Sequence, residues 1–178
     1  MVVFDASILL LLLNPEARPP TDPSTDAPVT RCQDRLEHLI ETFEKDRIKV
    51  VIPTPVLSET LVRAGDTGPE YLNQLSGSAK FKIVSFDTRA AVELAAMTRE
   101  AVDSGDKKGG SKAPWAKVKF DRQIVAIARI EGAHCIYSDD EGIKRVGDQC
   151  CRHFPTAFAA RRSPTKTLRR PIMPKAIF

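Results

Sequence analysis

The chain has 178 residues, 42% of them apolar and 28% charged, which suits one globular domain with a full core. A net charge of +4 and a pI near 8.9 tolerate a polyanionic partner without demanding one. Four cysteines without a CxxC pair (Cys32, Cys135, Cys150, Cys151) exclude a zinc-ribbon pattern and a disulfide framework, and favour a reducing, cytoplasmic setting.

The apolar stretch from Met1 to Leu13 is broken by Asp5, lacks a basic leader and is too short to span a bilayer, so no membrane partner is expected. It reads as a buried strand, Val2 to Phe4, followed by Asp5 at its carboxyl end and a helix through Leu13 that Ser7 could cap. A carboxylate between a buried strand and a leucine-rich helix is costly unless it is paired, hydrogen-bonded or bound to a cation. Residues 14–30 hold five prolines and no apolar period, the signature of a mobile surface loop.

A helix is expected from about Thr30 to Lys45, with Leu36, Leu39, Ile40 and Phe43 on one face, and a buried strand from Ile48 to Ile52. In PTPVLSETLVRAG, Thr54 reads as an N-cap and Pro55 as the first helical residue. Glu59 then lies beside the apolar face of Val56, Leu57, Thr60 and Leu61. Tyr71 to Leu75 suggests a short helix, and Phe81 to Val84 another strand. A helix capped by Asp87 should run to about Val102.

Residues 103–119 form the most polar internal stretch. They bring Lys107, Lys108, Lys112, Lys117, Lys119 and the single tryptophan, Trp115, directly before Asp121. Cations with an aromatic suit a phosphate backbone and a stacked base of single-stranded RNA; a solvated loop whose tryptophan packs the helix start is the plainer alternative. From Lys117 the sequence KVKFDRQIVAIARIEGAHCIYSDD reads as a helix that Gly132 stops, feeding a strand over His134 to Tyr137. Asp121 is placed in the first helical turn, where it could simply favour the helix dipole. Asp139 and Asp140 follow the strand, where either could open the next helix. After Ile143 to Val146 periodicity fades. The remainder is basic and proline-punctuated, shows no strand pattern, and offers Arg161, Arg162, Arg169 and Arg170 to nucleic acid or a partner. Neither a GKS loop nor a GxGxxG loop occurs.

Taken together, Asp5, Glu59, Asp121 and Asp139 or Asp140 fall at strand carboxyl ends or on the helices that follow them, where parallel α/β sheets collect ligands. Clustered carboxylates raise one another's pKa, so a stable cluster implies a divalent cation. All-oxygen ligands make it a hard one, Mg²⁺ or Mn²⁺. That is the chemistry of phosphodiester hydrolysis without a protein nucleophile.

The pieces VVFDAS, PTPVLSETL, KFDRQIVAIA and IYSDDEGI, in this order and spacing, resemble a PIN domain, and within that group a VapC-type toxin of a type II toxin–antitoxin pair. The resemblance implies an α/β, three-layer fold with a central, mostly parallel sheet flanked by helices. Residues 1–147 would form the nuclease domain and residues 148–178 a basic extension of it. It implies a Mg²⁺-dependent endoribonuclease, an RNA substrate, a small antitoxin partner and a homodimer. By position, Asp5 and Asp121 would be the principal metal ligands and Glu59 would complete the acidic site. Asp139 or Asp140 would be the fourth acid. Ungapped spacing favours Asp139, whereas the pattern of Ser138, Asp140 and Ile143 favours Asp140, which would join Asp5 and Asp121 on the metal. Lys107, Lys108, Lys112, Trp115 and Lys119 are the candidate RNA contacts. Other readings are a non-catalytic RNA-binding or scaffold protein on the same fold, and a PIN nuclease of RNA processing outside any toxin–antitoxin system. A receiver-type fold is disfavoured, because Phe4-Asp5-Ala6 offers one acid where such folds place adjacent ones.

Overall fold

A computed structural model describes residues 1–22, 25–147 and 151–153, the last three without their side chains. In chain order the elements are β1 (Val2–Phe4), α1 (Ala6–Leu13), β2 (Thr21–Asp22), β3 (Ala27–Pro28), α2 (Cys32–Lys45), β4 (Val50–Pro53) and α3 (Thr54–Ala64). After a short 3-10 turn come α4 (Gly68–Ser76), β5 (Phe81–Val84), α5 (Thr88–Asp103), α6 (Trp115–Ile130), β6 (Cys135–Ser138), α7 (Glu141–Gly147) and β7 (Cys151–His153). Five strands form one sheet in the order β5-β4-β1-β6-β7, and all its pairings are parallel.

The sheet is apolar because it is covered on both faces. Successive side chains of a strand point to opposite faces, so β1 divides its three residues between two cores. Val3 joins Val51, Ile124, Ile127 and Ile136 on one side; Val2 and Phe4 join Ile8, Leu36, Phe43 and Tyr137 on the other. Phe4, Phe43 and Tyr137 pack as an aromatic trio with ring centres 5.7–6.2 Å apart. Each such side chain, fully buried, contributes on the order of 1.5–3 kcal/mol. The result is the expected three-layer α/β fold.

From central β1 the chain builds outward to β4 and β5 on one side, then crosses to β6 and β7 on the other. The crevice beside β1 at the strand carboxyl ends is therefore where a ligand site forms in such sheets. Asp5 directly follows β1, and Asp139 directly follows β6.

Several local expectations are corrected. The proline-rich segment 14–30 is not without structure: β2 and β3 pair antiparallel within it, and Pro20 and Val29 are buried. The chain after residue 147 does carry a strand, because β7 adds to the sheet edge with Ser138 opposite His153. Three residues suffice at an edge when the neighbouring strand supplies the ladder. Thr54 is inside α3 rather than its cap; extended Pro53 holds that position, and the Thr54 hydroxyl accepts a hydrogen bond from the Phe86 N–H at 3.1 Å. Asp5, not Ser7, stands at the cap position of α1, without a side-chain capping bond. Asp87 does cap α5, accepting from the Ala90 N–H at 2.9 Å. The helix before β6 starts at Trp115, two residues earlier than expected, because Pro114 is already fixed in a cap conformation. Asp121 is thus its seventh residue, beyond the first-turn dipole that would have given it a plain structural role.

Candidate active site

Asp5, Glu59, Asp121, Asp139 and Asp140 line a single pocket of about 510 Å³, together with Ser7, Arg63, Lys117, Phe120, Ile124 and Ile143. Each acid arrives from a different part of the fold. Asp5 comes from the β1–α1 junction, Glu59 from the second turn of α3, Asp121 from α6, and the Asp139–Asp140 pair from the β6–α7 junction.

Asp5 is only 6% exposed. Its Oδ2 accepts from the buried Ser138 hydroxyl at 2.8 Å. Burial pushes its pKa up to about 6; the Ser138 bond and the Ala6 N–H moderate the rise, while the charges of Glu59 and Asp140 add to it. Asp121 is also buried and also raised, first by desolvation and then by the facing Asp140 and Glu59, against the opposing pull of Lys117.

Lys117 is a residue that sequence reasoning did not single out from its polar stretch. Its Nζ reaches Asp121 Oδ1 at 3.3 Å and Asp140 Oδ2 at 2.6 Å. The first contact was legible as an i,i+4 pair; the second spans 23 residues and required the fold. Burial opposes the charged forms of Asp140 and Lys117, yet their mutual attraction outweighs it. Asp140 lies below the usual carboxylate range and Lys117 above the usual amine value. Asp140 also accepts from the Gly142 N–H at 2.6 Å, so it opens α7 as well as facing the pocket. Ser138 links the two ends of the site, because its hydroxyl accepts from the Asp140 N–H at 3.0 Å while donating to Asp5.

Gly142 was likewise missed. A Cβ there would sit 2.1 Å from Asp121 Oδ2 and 2.9 Å from Asp140 Oδ1. Glu59 Oε1 accepts from Arg63 Nη2 at 2.5 Å, one helical turn on. The Ser7 hydroxyl is buried and without a hydrogen-bond partner among the described residues.

The donor set is uniformly oxygen and acidic, which fits a hard divalent cation, and an orphaned hydroxyl lies in the same pocket. Among the described residues, however, no three acid, histidine or cysteine side chains are already gathered as a metal cage. The charge between Asp121 and Asp140 is met by Lys117 instead.

The expected RNA contacts lie outside this pocket. Trp115 is the first residue of α6, with Lys107 Nζ 5.6 Å, Lys119 Nζ 6.0 Å and the Arg122 guanidinium 5.5 Å from its ring centre. Lys108 Nζ donates to the Ala113 carbonyl at 2.9 Å. Lys112 is exposed. Arg122, only 4% exposed, ties the loop down by donating to the Lys107 carbonyl at 2.7 Å. Arg161, Arg162, Arg169 and Arg170 lie outside the described residues. No described helix is long and apolar enough to cross a membrane.

No family model and no curated protein matches the sequence. Solved structures do match the fold. VapBC2 from Rickettsia felis bound to a promoter DNA fragment aligns with a TM-score of 0.56 at 15% identity, covering 85% of this chain and 98% of that one. FitAB bound to a DNA fragment aligns at 0.54 and 14% identity, covering 87% and 96%. The sarcin-ricin-loop-cleaving toxin VapC20 of Mycobacterium tuberculosis aligns at 0.53 and 14% identity, covering 83% and 95%. The class is thus a parallel α/β domain with acids gathered at the strand carboxyl ends. The particular fold is that of the PIN-domain toxins, as the sequence resemblance implied.

Proposed function

We propose that this chain is a metal-dependent endoribonuclease, acting as the toxin of a toxin–antitoxin pair. The observation that carries the reading is the convergence of five carboxylates, from four separate parts of the fold, in one pocket. Burial, and to a lesser extent the neighbouring negative charges, raises the pKa of both Asp5 and Asp121, a cost that a binding role for the acids explains.

Asp5, Asp121 and Asp140 would hold the cation, Mg²⁺ or Mn²⁺, and Glu59 and Asp139 complete the acidic lining. Such a cation supplies Lewis-acid activation of water and neutralises charge on the phosphodiester. Ser138 fixes Asp5 in rotation, so that one carboxylate oxygen is committed to the protein. Arg63 holds Glu59 against the pocket wall. Lys107, Lys112, Lys119 and Trp115 grip the RNA backbone beside the site, while Lys108 and Arg122 shape the loop that carries them.

A small antitoxin is the partner this reading calls for, and a homodimer its assembly. Among the structures of like fold, VapBC2 and FitAB are complexes on DNA, and VapC20 cleaves an RNA loop.

The test is cleavage of a labelled RNA pool by the purified chain with Mg²⁺, with EDTA, and with Asp5→Asn. Cleavage should need the metal and vanish in the variant. Undiminished cleavage by Asp5→Asn, or cleavage that persists in EDTA, overturns the reading.

A further inference from the structure

We propose that Lys117 is a resident counter-ion which a divalent cation must displace from Asp121 and Asp140, so that this site takes up its metal by exchange. The inference rests on the metal-dependent reading above and concerns how that site is regulated.

Two facing carboxylates, one of them only 2% exposed, need a positive charge between or beside them. The fold supplies one from within. Lys117 stands one turn before Asp121 on α6, and the β6–α7 junction brings Asp140 to the same ammonium, at 2.6 Å. Its side chain is 46% exposed, so the head group sits at the pocket's mouth rather than locked in the core. A four-carbon stem lets the ammonium swing several ångströms while α6 stays in place.

A cation bound to both Asp121 and Asp140 would need the oxygens that Lys117 holds, and two positive centres at contact distance repel. Metal binding therefore breaks both lysine contacts, and the acid pair is compensated in either state. Asp5 and Ser7 line the same pocket, and the hydrogen bonds of Lys117 go to Asp121 and Asp140.

Binding of MnCl₂ and MgCl₂ to the full chain, measured by calorimetry, tests the exchange, together with thermal melting in EDTA. Lys117→Met keeps the stem and removes the charge; Lys117→Arg keeps a charge. Lys117→Met should bind Mn²⁺ roughly three- to tenfold more tightly than the parent, the range expected for releasing two partly exposed ion pairs. It should melt lower in EDTA and recover on saturation with Mn²⁺. Lys117→Arg should keep the parent's weaker affinity and its melting temperature in EDTA. Should Lys117→Met precipitate free of metal, Lys117→Gln takes its place in the comparison. Equal or weaker Mn²⁺ binding by the uncharged variant, with Asp5→Asn still abolishing binding, overturns exchange and leaves the metal site standing. Binding that Asp5→Asn does not disturb overturns both, because the metal then sits elsewhere.

Discussion

The Ser138 hydroxyl donates to Asp5 Oδ2 at 2.8 Å, joining the carboxyl ends of two adjacent strands whose residues are 133 apart in sequence. The same oxygen accepts the Asp140 N–H. One side chain thus sets the rotation of buried Asp5 and the start of α7.

Ser138→Ala removes both bonds at once. Asp5 would be left as a buried carboxylate without its hydroxyl donor, and the Asp140 N–H without its acceptor. A loss of about 1–3 kcal/mol in chemical denaturation is expected. The Asp5 pKa should climb further, since the Ser138 bond is the strongest influence lowering it. Carboxyl NMR titration reads that directly, and an unmoved Asp5 titration would show that the bond does not tune this acid.

Asp5→Asn separates charge from shape. Folded Asp5 titrates near 6 against an ordinary 3.8, so the folded state holds its proton more tightly than the unfolded chain does. The contribution of this group to stability is therefore complete below the unfolded value and is lost as pH rises through about 6. A gap of about two units corresponds to about 3 kcal/mol. Without metal, Asp5→Asn should exceed the parent in stability at about pH 7.5 by up to that amount, with the difference closing towards about pH 4. Asp121 titrates in the same sense and Asp140 in the opposite one, but both are common to the two proteins. Urea denaturation in EDTA across this range decides it. A parent whose advantage grows with pH would contradict the sign.

The acids themselves were legible in the sequence, because each is a charge placed against an apolar run, at a strand end or within a helix, and such a charge needs a reason. Their convergence followed from parallel strand order. What could not be read is what surrounds them. Lys117 is one of several lysines in a polar stretch until β6 brings Asp140 to it, and Gly142 looks like an ordinary helix-start glycine. The tryptophan loop reads first as substrate contact, with packing as the alternative, and three cations around Trp115 show that packing is part of its role. Capping was half legible: Asp87 has one competent geometry, whereas Pro53-Thr54-Pro55 offers two starts, and strand pairing with Val84 selects the earlier. β7 escaped notice because three residues at a sheet edge carry no period.

Gly142→Ala sets helix propensity against the site. On propensity alone, alanine in a helix is favoured over glycine by up to about 1 kcal/mol. Here its methyl would meet Asp121 Oδ2 at 2.1 Å and Asp140 Oδ1 at 2.9 Å, so the carboxylates or α7 must move. A net destabilisation of about 1–3 kcal/mol is expected, with RNA cleavage reduced. A variant more stable than the parent and fully active would mean that the acids do not need this close approach.

The last prediction concerns the loop before α6. Lys107 and Lys119 flank Trp115, and Lys112 is exposed nearby, whereas Lys108 is committed to the Ala113 carbonyl. If this loop grips RNA, the lysines that serve the substrate and the cations that serve the loop should separate by experiment. Lys107→Ala, Lys112→Ala and Lys119→Ala should each weaken binding of single-stranded RNA and lower the slope of log affinity against log salt by about 0.7 per lost phosphate contact. Their melting temperatures should stay near the parent's, since all three residues are exposed. Arg122→Met should do the reverse first: it strips the part-buried bond to the Lys107 carbonyl and one cation from the indole, so the protein should melt lower. Fluorescence-anisotropy titrations on an uncleaved RNA, run with Asp5→Asn as background, keep binding apart from hydrolysis. A salt slope unchanged in all three lysine variants would remove the loop from the RNA path and leave Trp115 as a packing residue.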